Sequence, residues 1–194
     1  TVMSIAFVFL LVGYGTKVGL VPLHNWLPDA HAEGPTPISA VLSGLLLNVA
    51  LYALIRFKVI TDGALERPFA SHLLMGFGLT SVVVAAFFLS RQRDVKRMFA
   101  YSSIEHMGLI TFAFGMGGPV ASFGGLLHMT VHSLTKSAIF FAVGHAAQKA
   151  GTQAMDDIRG LVRVNPTVGW GLMLGTVAIL GMPPSGVFTS EYLI

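Results

Sequence analysis

The stretch Gly124–Gly144, GGLLHMTVHSLTKSAIFFAVG, constrains this chain more than any other. It is long and apolar enough to cross a bilayer as a helix, yet His128, His132 and Lys136 interrupt it. These positions are spaced i, i+4 and i+8, so on a helix they share one face. No acidic residue lies within the run. A lysine at the centre of a membrane helix costs on the order of 2.5 kcal/mol or more. Such a stretch therefore folds with that face against protein or water. Two roles fit: a hydrogen-bonding face that holds helices together, or a relay that passes protons between groups one turn apart.

The rest of the chain agrees with a membrane setting. Charged residues make up 11% of it, against about 25% in a soluble domain. Its mean hydropathy is +0.73. The apolar runs are continuous, so the expected class is all-α, a polytopic transmembrane helix bundle and not a barrel. The net charge of +3 is spread over loops, with no basic stripe for nucleic acid. There are no cysteines, which excludes disulfides, thiol catalysis and cysteine-held iron–sulfur clusters within this chain. No basic n-region precedes the first apolar run, so no signal peptide is expected. Both ends fall in hydrophobic sequence, and a fragment of a longer protein is expected.

The expected spans follow in order. Thr1–Val12 is apolar and leads into GYGTKVGLVPLHNWLPDA, Gly13–Ala30, with three glycines, Lys17 and Pro22. A spanning helix broken near Gly13–Gly19 is expected, with a half-helix to about Pro28. His24 and Trp26 suit an interface. Asp29–Pro37 is expected to be a polar turn facing water; His24, Asp29, His31 and Glu33 match no metal motif. Further spans are expected at Thr36–Phe57, Pro68–Ser90, Met98–Met116 and Pro119–Ala150. An amphipathic connector, Gln148–Asn165, follows. Pro166–Leu180 then breaks at GMPPSG and resumes at Val187–Ile194. This makes about six crossings with two broken helices. Arg91, Arg93, Lys96, Arg97, Lys149, Arg159 and Arg163 fall on one side, and Arg56, Lys58 and Arg67 on the other. The positive-inside rule places the first group in the cytoplasm. Paired broken helices point to an inverted-repeat transporter with sites at mid-depth.

Four segments, KVGLVPLHNWLPDAHAEGPTPISA, KRMFAYSSIEHMG, HSLTKSAIFFAVG and GMPPSGVFTSEYLI, resemble the antiporter-like proton-channel subunits. These belong to respiratory complex I (NADH–quinone oxidoreductase), group 4 membrane-bound hydrogenases and multisubunit Na⁺/H⁺ antiporters. The resemblance implies an inverted-repeat fold. Residues 1–60 would end the first repeat and residues 68–194 would form most of the second, in one transmembrane region. It implies a proton relay of Lys17, His128, His132, Lys136 and Glu191. Lys17 falls at the family's broken-helix lysine, and Lys136 at the lysine of the second half-channel. Glu191 resembles an acidic residue some members carry after the second break. Asn48 stands where many relatives have a lysine, and an amide cannot carry a proton by titrating. Glu105 in SIEHMG looks more like the hydrogenase type than complex I. Glu105, His106, Asn48 and His24 serve either relay or packing.

The chemistry fits the resemblance. A lysine in water has a pKa of about 10.4, and an ammonium in apolar surroundings gives up its proton more readily. A movable carboxylate partner makes such a lysine a switch. Glu191 can instead cap the second half-helix through the helix dipole. HMTVH lacks the glutamate of HExxH, so no metal is expected, nor a haem, and no cofactor or catalytic residue is assigned. The implied function is proton translocation in a redox-driven complex, a non-redox subunit of an NADH–quinone oxidoreductase or hydrogenase. The alternatives are a Na⁺/H⁺ antiporter subunit and a structural membrane scaffold. Expected partners are other membrane subunits, a peripheral redox arm, the lipid bilayer and protons, or Na⁺. The expected location is a bacterial or archaeal inner membrane.

Overall fold

The computed structural model describes residues 2–65 and 68–194, so Thr1 and Arg67 lie outside the described residues. The described residues form ten α-helices and no strand. They are α1 (Val2–Val18), α2 (Trp26–Glu33), α3 (Thr36–Val41), α4 (Leu47–Ala64), α5 (Phe69–Leu89), α6 (Val95–Met116), α7 (Pro119–Ala150), α8 (Leu161–Val164), α9 (Pro166–Ile179) and α10 (Gly186–Leu193). A π-helical turn, Leu42–Leu46, joins α3 to α4, so Thr36–Ala64 is one continuous rod. Among the described residues, three helices are long and apolar enough to cross a membrane: Thr36–Ala64, Phe69–Leu89 and Pro119–Ala150. Val2–Val18 and Pro166–Ile179 are shorter apolar helices. Large apolar side chains such as Phe9, Val49, Phe87, Leu134 and Tyr192 point outward, as lipid or neighbouring subunits require.

Both breaks form, and at each the freed backbone groups find partners. The first falls at the end of the expected range, Gly13–Gly19. The helix continues through Gly13 and Gly15 and stops where Gly19 takes φ +82°. The Gly19 and Leu20 amides both donate to the Gly15 carbonyl, each at 2.9 Å. The Val21 amide donates to Ser81 Oγ at 2.9 Å, and Trp26 Nε1 donates to the Thr16 carbonyl at 2.7 Å. Non-helical backbone is tolerated at membrane depth only when satisfied in this way. Pro28 sits in the first turn of α2 and does not end it, since that turn needs no intrahelical donor. The second break turns at Gly181, φ +64°, and Ser185 caps α10 by accepting from the Phe188 amide at 3.1 Å.

Several expectations require correction. Asp29–Pro37 is no water-facing turn, because α2 runs to Glu33 and buries His31. The carbonyls at the end of α2 are bound by Lys96 Nζ, 3.2 Å from Gly34 O, and Gln153 Nε2, 3.1 Å from Ala32 O. Lys96 is thus buried and is not a loop charge. His24 is buried beside the rings of Phe88 and Tyr101. The second span continues past Phe57 to Ala64, with Lys58 and Asp62 paired one turn apart at 2.6 Å. The connector after Ala150 is mostly irregular, with helix only at Leu161–Val164.

The basic loop ends early because Asp94 caps α6, accepting from the Arg97 amide at 2.9 Å. Asp94→Ala should cost about 1 kcal/mol, read as a lower unfolding midpoint; an unchanged midpoint would rule out this cap as a stabilising contact. Beside it, Val95 N donates to Gln153 O at 3.0 Å and Met155 N to Arg93 O at 2.9 Å. These bonds bring the two basic connectors to one end of the bundle.

Long α7 runs through the centre, against α3, α6, α9 and α10. Small residues let it approach its neighbours. Gly125 meets the ring of Phe114, Gly144 meets Thr36, and Gly124 meets Leu193.

Candidate functional site

The inward face of α7 holds His128, His132 and Lys136, each fully buried. Three other elements close over it. From α6 comes His106, whose Nδ1 lies 2.9 Å from His128 Nε2. From α10 comes Ser190, whose Oγ lies 2.8 Å from His128 Nδ1 and 2.8 Å from the Val187 carbonyl. Also from α10, Glu191 places Oε1 3.8 Å from His106 Nδ1. The backbone of Ile179, at the end of α9, also interacts with the His106 ring. His106, His128 and Ser190 therefore form a wire whose two ends are the carbonyls of Ile179 and Val187. These carbonyls flank the second break.

The histidine rings cluster, with centroids 5.1 Å apart for His106–His128, 5.4 Å for His106–His132 and 6.3 Å for His128–His132. Both ring nitrogens of His132 are buried without a protein partner among the described residues. One turn further, Lys136 Nζ donates to the Phe99 carbonyl at 2.9 Å and lies 5.4 Å from the Phe99 ring centroid. Ser103 Oγ donates to the same carbonyl at 3.0 Å and pairs with Ser43 Oγ at 2.8 Å. Glu105 is half-buried, and its carboxylate interacts electrostatically with both Lys136 and Glu191. His31 stacks on Phe140 at 4.6 Å, within electrostatic range of Lys136, with both ring nitrogens unpartnered.

Four residues expected in the relay thus come together: His128, His132, Lys136 and Glu191. His106, assigned either relay or packing, stands at the centre of the cluster. Lys17 does not join it. It is exposed on α1, lining a groove with Gly13, Thr16, Trp26, Leu42 and Leu46. Glu191 does not cap a half-helix N-terminus, because Ser185 holds that position and Glu191 lies in the last turn of α10. Its carboxylate folds back over Gly181, where a β-carbon would collide with it. Asn48 bridges two elements, donating to Gly44 O at 3.2 Å and Met129 O at 3.1 Å. The Gly44 carbonyl, within the π turn, also accepts from Ser133 Oγ. His24, Asp29, His31 and Glu33 do not converge.

Ser190, Ser103 and Ser43 were missed by sequence reasoning. A serine is common in membrane helices and carries no signal by spacing; only its neighbour Glu191 hinted at Ser190.

The profile of the family described as NADH:quinone oxidoreductase/Mrp antiporter, TM, matches residues 1–194. The chain is 61% identical over 194 residues to a Hydrogenase-4 component F homolog of Methylacidiphilum infernorum (isolate V4), covering all of this chain and 41% of that protein. It is 36% identical over 193 residues to NAD(P)H-quinone oxidoreductase chain 4 of Prochlorococcus marinus (strain MIT 9312), covering 98% of this chain and 35% of that protein. The chain therefore spans well under half the length of these relatives. Among solved structures, it matches a chain of the membrane-bound sulfane sulfur reductase, an archaeal respiratory membrane complex, with a TM-score of 0.87 and 29% identity. That match covers 98% of this chain and 38% of that one. It matches a chain of the Mrp complex from Dietzia sp. DQ12-45-1b with a TM-score of 0.89 and 22% identity, a likeness of fold; 97% of this chain and 35% of that one are covered.

Proposed function

The chain belongs to the NADH:quinone oxidoreductase/Mrp antiporter membrane family, and from that premise we propose that it conducts protons through the bundle as a subunit of a redox-driven complex. The observation that carries this reading is the buried run Lys136, His132, His128–His106, Glu191, which brings titratable groups from α6, α7 and α10 into one line. Each group offers a site that can take and release a proton when its surroundings change. A proton on Lys136 is held by the Phe99 carbonyl and can be drawn off when Glu105 moves. His132, without protein partners, exchanges through water. The His106–His128 bond then delivers the proton to Glu191 at the second break. Lys17 lies apart from this line, and its proton route uses segments of the longer protein. The 61% relative and the SIEHMG form favour a hydrogenase-type complex, in a prokaryotic inner membrane, with other membrane subunits and a peripheral redox arm as partners.

His132→Leu is a clean test. The ring makes no hydrogen bond to protein, so leucine of similar volume orphans no group. In the full-length protein, within its complex in proteoliposomes, the variant should assemble normally and lose proton translocation by roughly 100-fold. Unchanged translocation would overturn the relay. Sodium-driven transport without any electron donor would favour a Na⁺/H⁺ antiporter subunit instead.

A further inference from the structure

We propose that His106, His128 and Glu191 form a binding site for one divalent transition-metal ion of the zinc class. One donor atom from each of these residues lies within 4.8 Å of the others, and the two histidines are buried. Two imidazoles and a carboxylate are the donor set that zinc takes, with a fourth position left for water.

The surroundings of the histidines strengthen the case. Ser190 Oγ faces His128 Nδ1 at 2.8 Å, and its own hydroxyl donates to Val187 O at 2.8 Å. With its proton on Val187 O, Ser190 Oγ can accept an Nδ1–H of His128. The backbone of Ile179 also interacts with the His106 ring and offers it an acceptor. In the tautomer pair that donates outward from both histidines, Nε2 of His128 and Nδ1 of His106 turn their lone pairs toward each other, 2.9 Å apart. A cation between two such lone pairs holds the rings together. In the relay that cation is a shared proton. A metal ion replaces it with bonds to both nitrogens and to Glu191 Oε1, which stands 3.8 Å from His106 Nδ1. Outward donors of this kind orient the ligands at most histidine metal sites. Zn–N bonds of about 2.0–2.1 Å in tetrahedral geometry place donor nitrogens about 3.3 Å apart. The rings need to part by about half an ångström to reach this spacing. The HMTVH pair is not the chelate, since His132 lies outside the trio and His106 from another helix takes its place. Binding displaces the shared proton and occupies the lone pairs that proton hopping uses. That blocking consequence rests on the proposed relay, whereas binding itself does not.

The test is titration of the purified full-length protein in its complex with Co²⁺, followed by its visible d–d absorption, and then displacement by Zn²⁺. The titration is run in a background where the exposed His72 and His145 are replaced by glutamine. One equivalent with a tetrahedral spectrum is expected to appear over matched His106→Gln or Glu191→Gln complexes. Ser190→Ala keeps all three ligands and should weaken binding by about 10-fold. An identical titration in all four proteins overturns the site, as does the absence of a tetrahedral spectrum in the parent. Ser190→Ala and the parent titration decide the matter even where a ligand variant fails to fold. Metal binding that leaves proton translocation running refutes the blocking role and the relay through His106–His128, while the site itself stands.

Discussion

Lys136→Ala, placed in the full-length protein, should abolish proton translocation while the bundle still assembles. The expected loss is roughly 100-fold or more, the scale on which positioned proton carriers act. The fold stays intact for a local reason. Lys136 Nζ donates to the Phe99 carbonyl at 2.9 Å, but Ser103 Oγ donates to that carbonyl too, at 3.0 Å. Removing the ammonium therefore leaves no carbonyl orphaned. It does leave a cavity, for Lys136 is among the largest fully buried side chains. Lys136→Met refills most of that space without a charge and separates packing from chemistry. If both variants lose translocation and both assemble, the charge is the cause. If Lys136→Met translocates like the parent, the lysine is a packing element and the relay reading fails. A scaffold role predicts that second outcome, so the pair decides between the two.

Gly108→Val should disrupt the fold more than any other single change proposed here. Helices α5 and α6 touch backbone to backbone. A β-carbon at Gly108 would lie 2.8 Å from the Gly78 carbonyl oxygen, 2.8 Å from Ser81 Cβ and 3.0 Å from Val82 N. At Gly78 it would lie 2.6 Å from both Gly108 O and Phe112 N. None of these neighbours is the end of a flexible side chain, so the helices themselves must separate. Overpacking of this kind costs about 1–3 kcal/mol, and separation also gives up the close contact that holds membrane helices together. The measurement is the unfolding midpoint and the yield of assembled protein in mild detergent. Gly76→Ala is the control, because a β-carbon there meets nothing within 4 Å and alanine suits a helix better. Equal midpoints for Gly108→Val and the parent would refute the close-packed α5–α6 contact.

Much of the site was legible in the chain because helix periodicity is rigid. His128, His132 and Lys136 had to share a face once α7 was a helix, and a charge among leucines had to face inward. The breaks were legible through Gly19 with Pro22 and through GMPPSG, since glycine and proline act locally. Both turns fall inside the expected ranges, the first at its last residue. Gly13 and Gly15 stay helical because apolar surroundings favour internally bonded backbone, and only Gly19 adopts the left-handed turn. His31 was misread because DAHAEG looks like a water-facing turn until Phe140 is found stacked on it at 4.6 Å.

The amino-acid order alone determined the membrane class, the two interrupted helices and the buried row on α7, because each follows from hydropathy and spacing within one segment. Which groups meet that row was decided by tertiary structure. His106, Ser190 and Glu191 come from segments 22 to 63 positions away, and no local rule pairs them with His128. Packing also left Lys17 apart from the cluster and turned Lys96 from a surface charge into a partner of the Gly34 carbonyl. The physical reason is that side-chain periodicity governs a helix face, whereas the partner of that face depends on how small residues such as Gly78, Gly108 and Gly125 let whole helices approach.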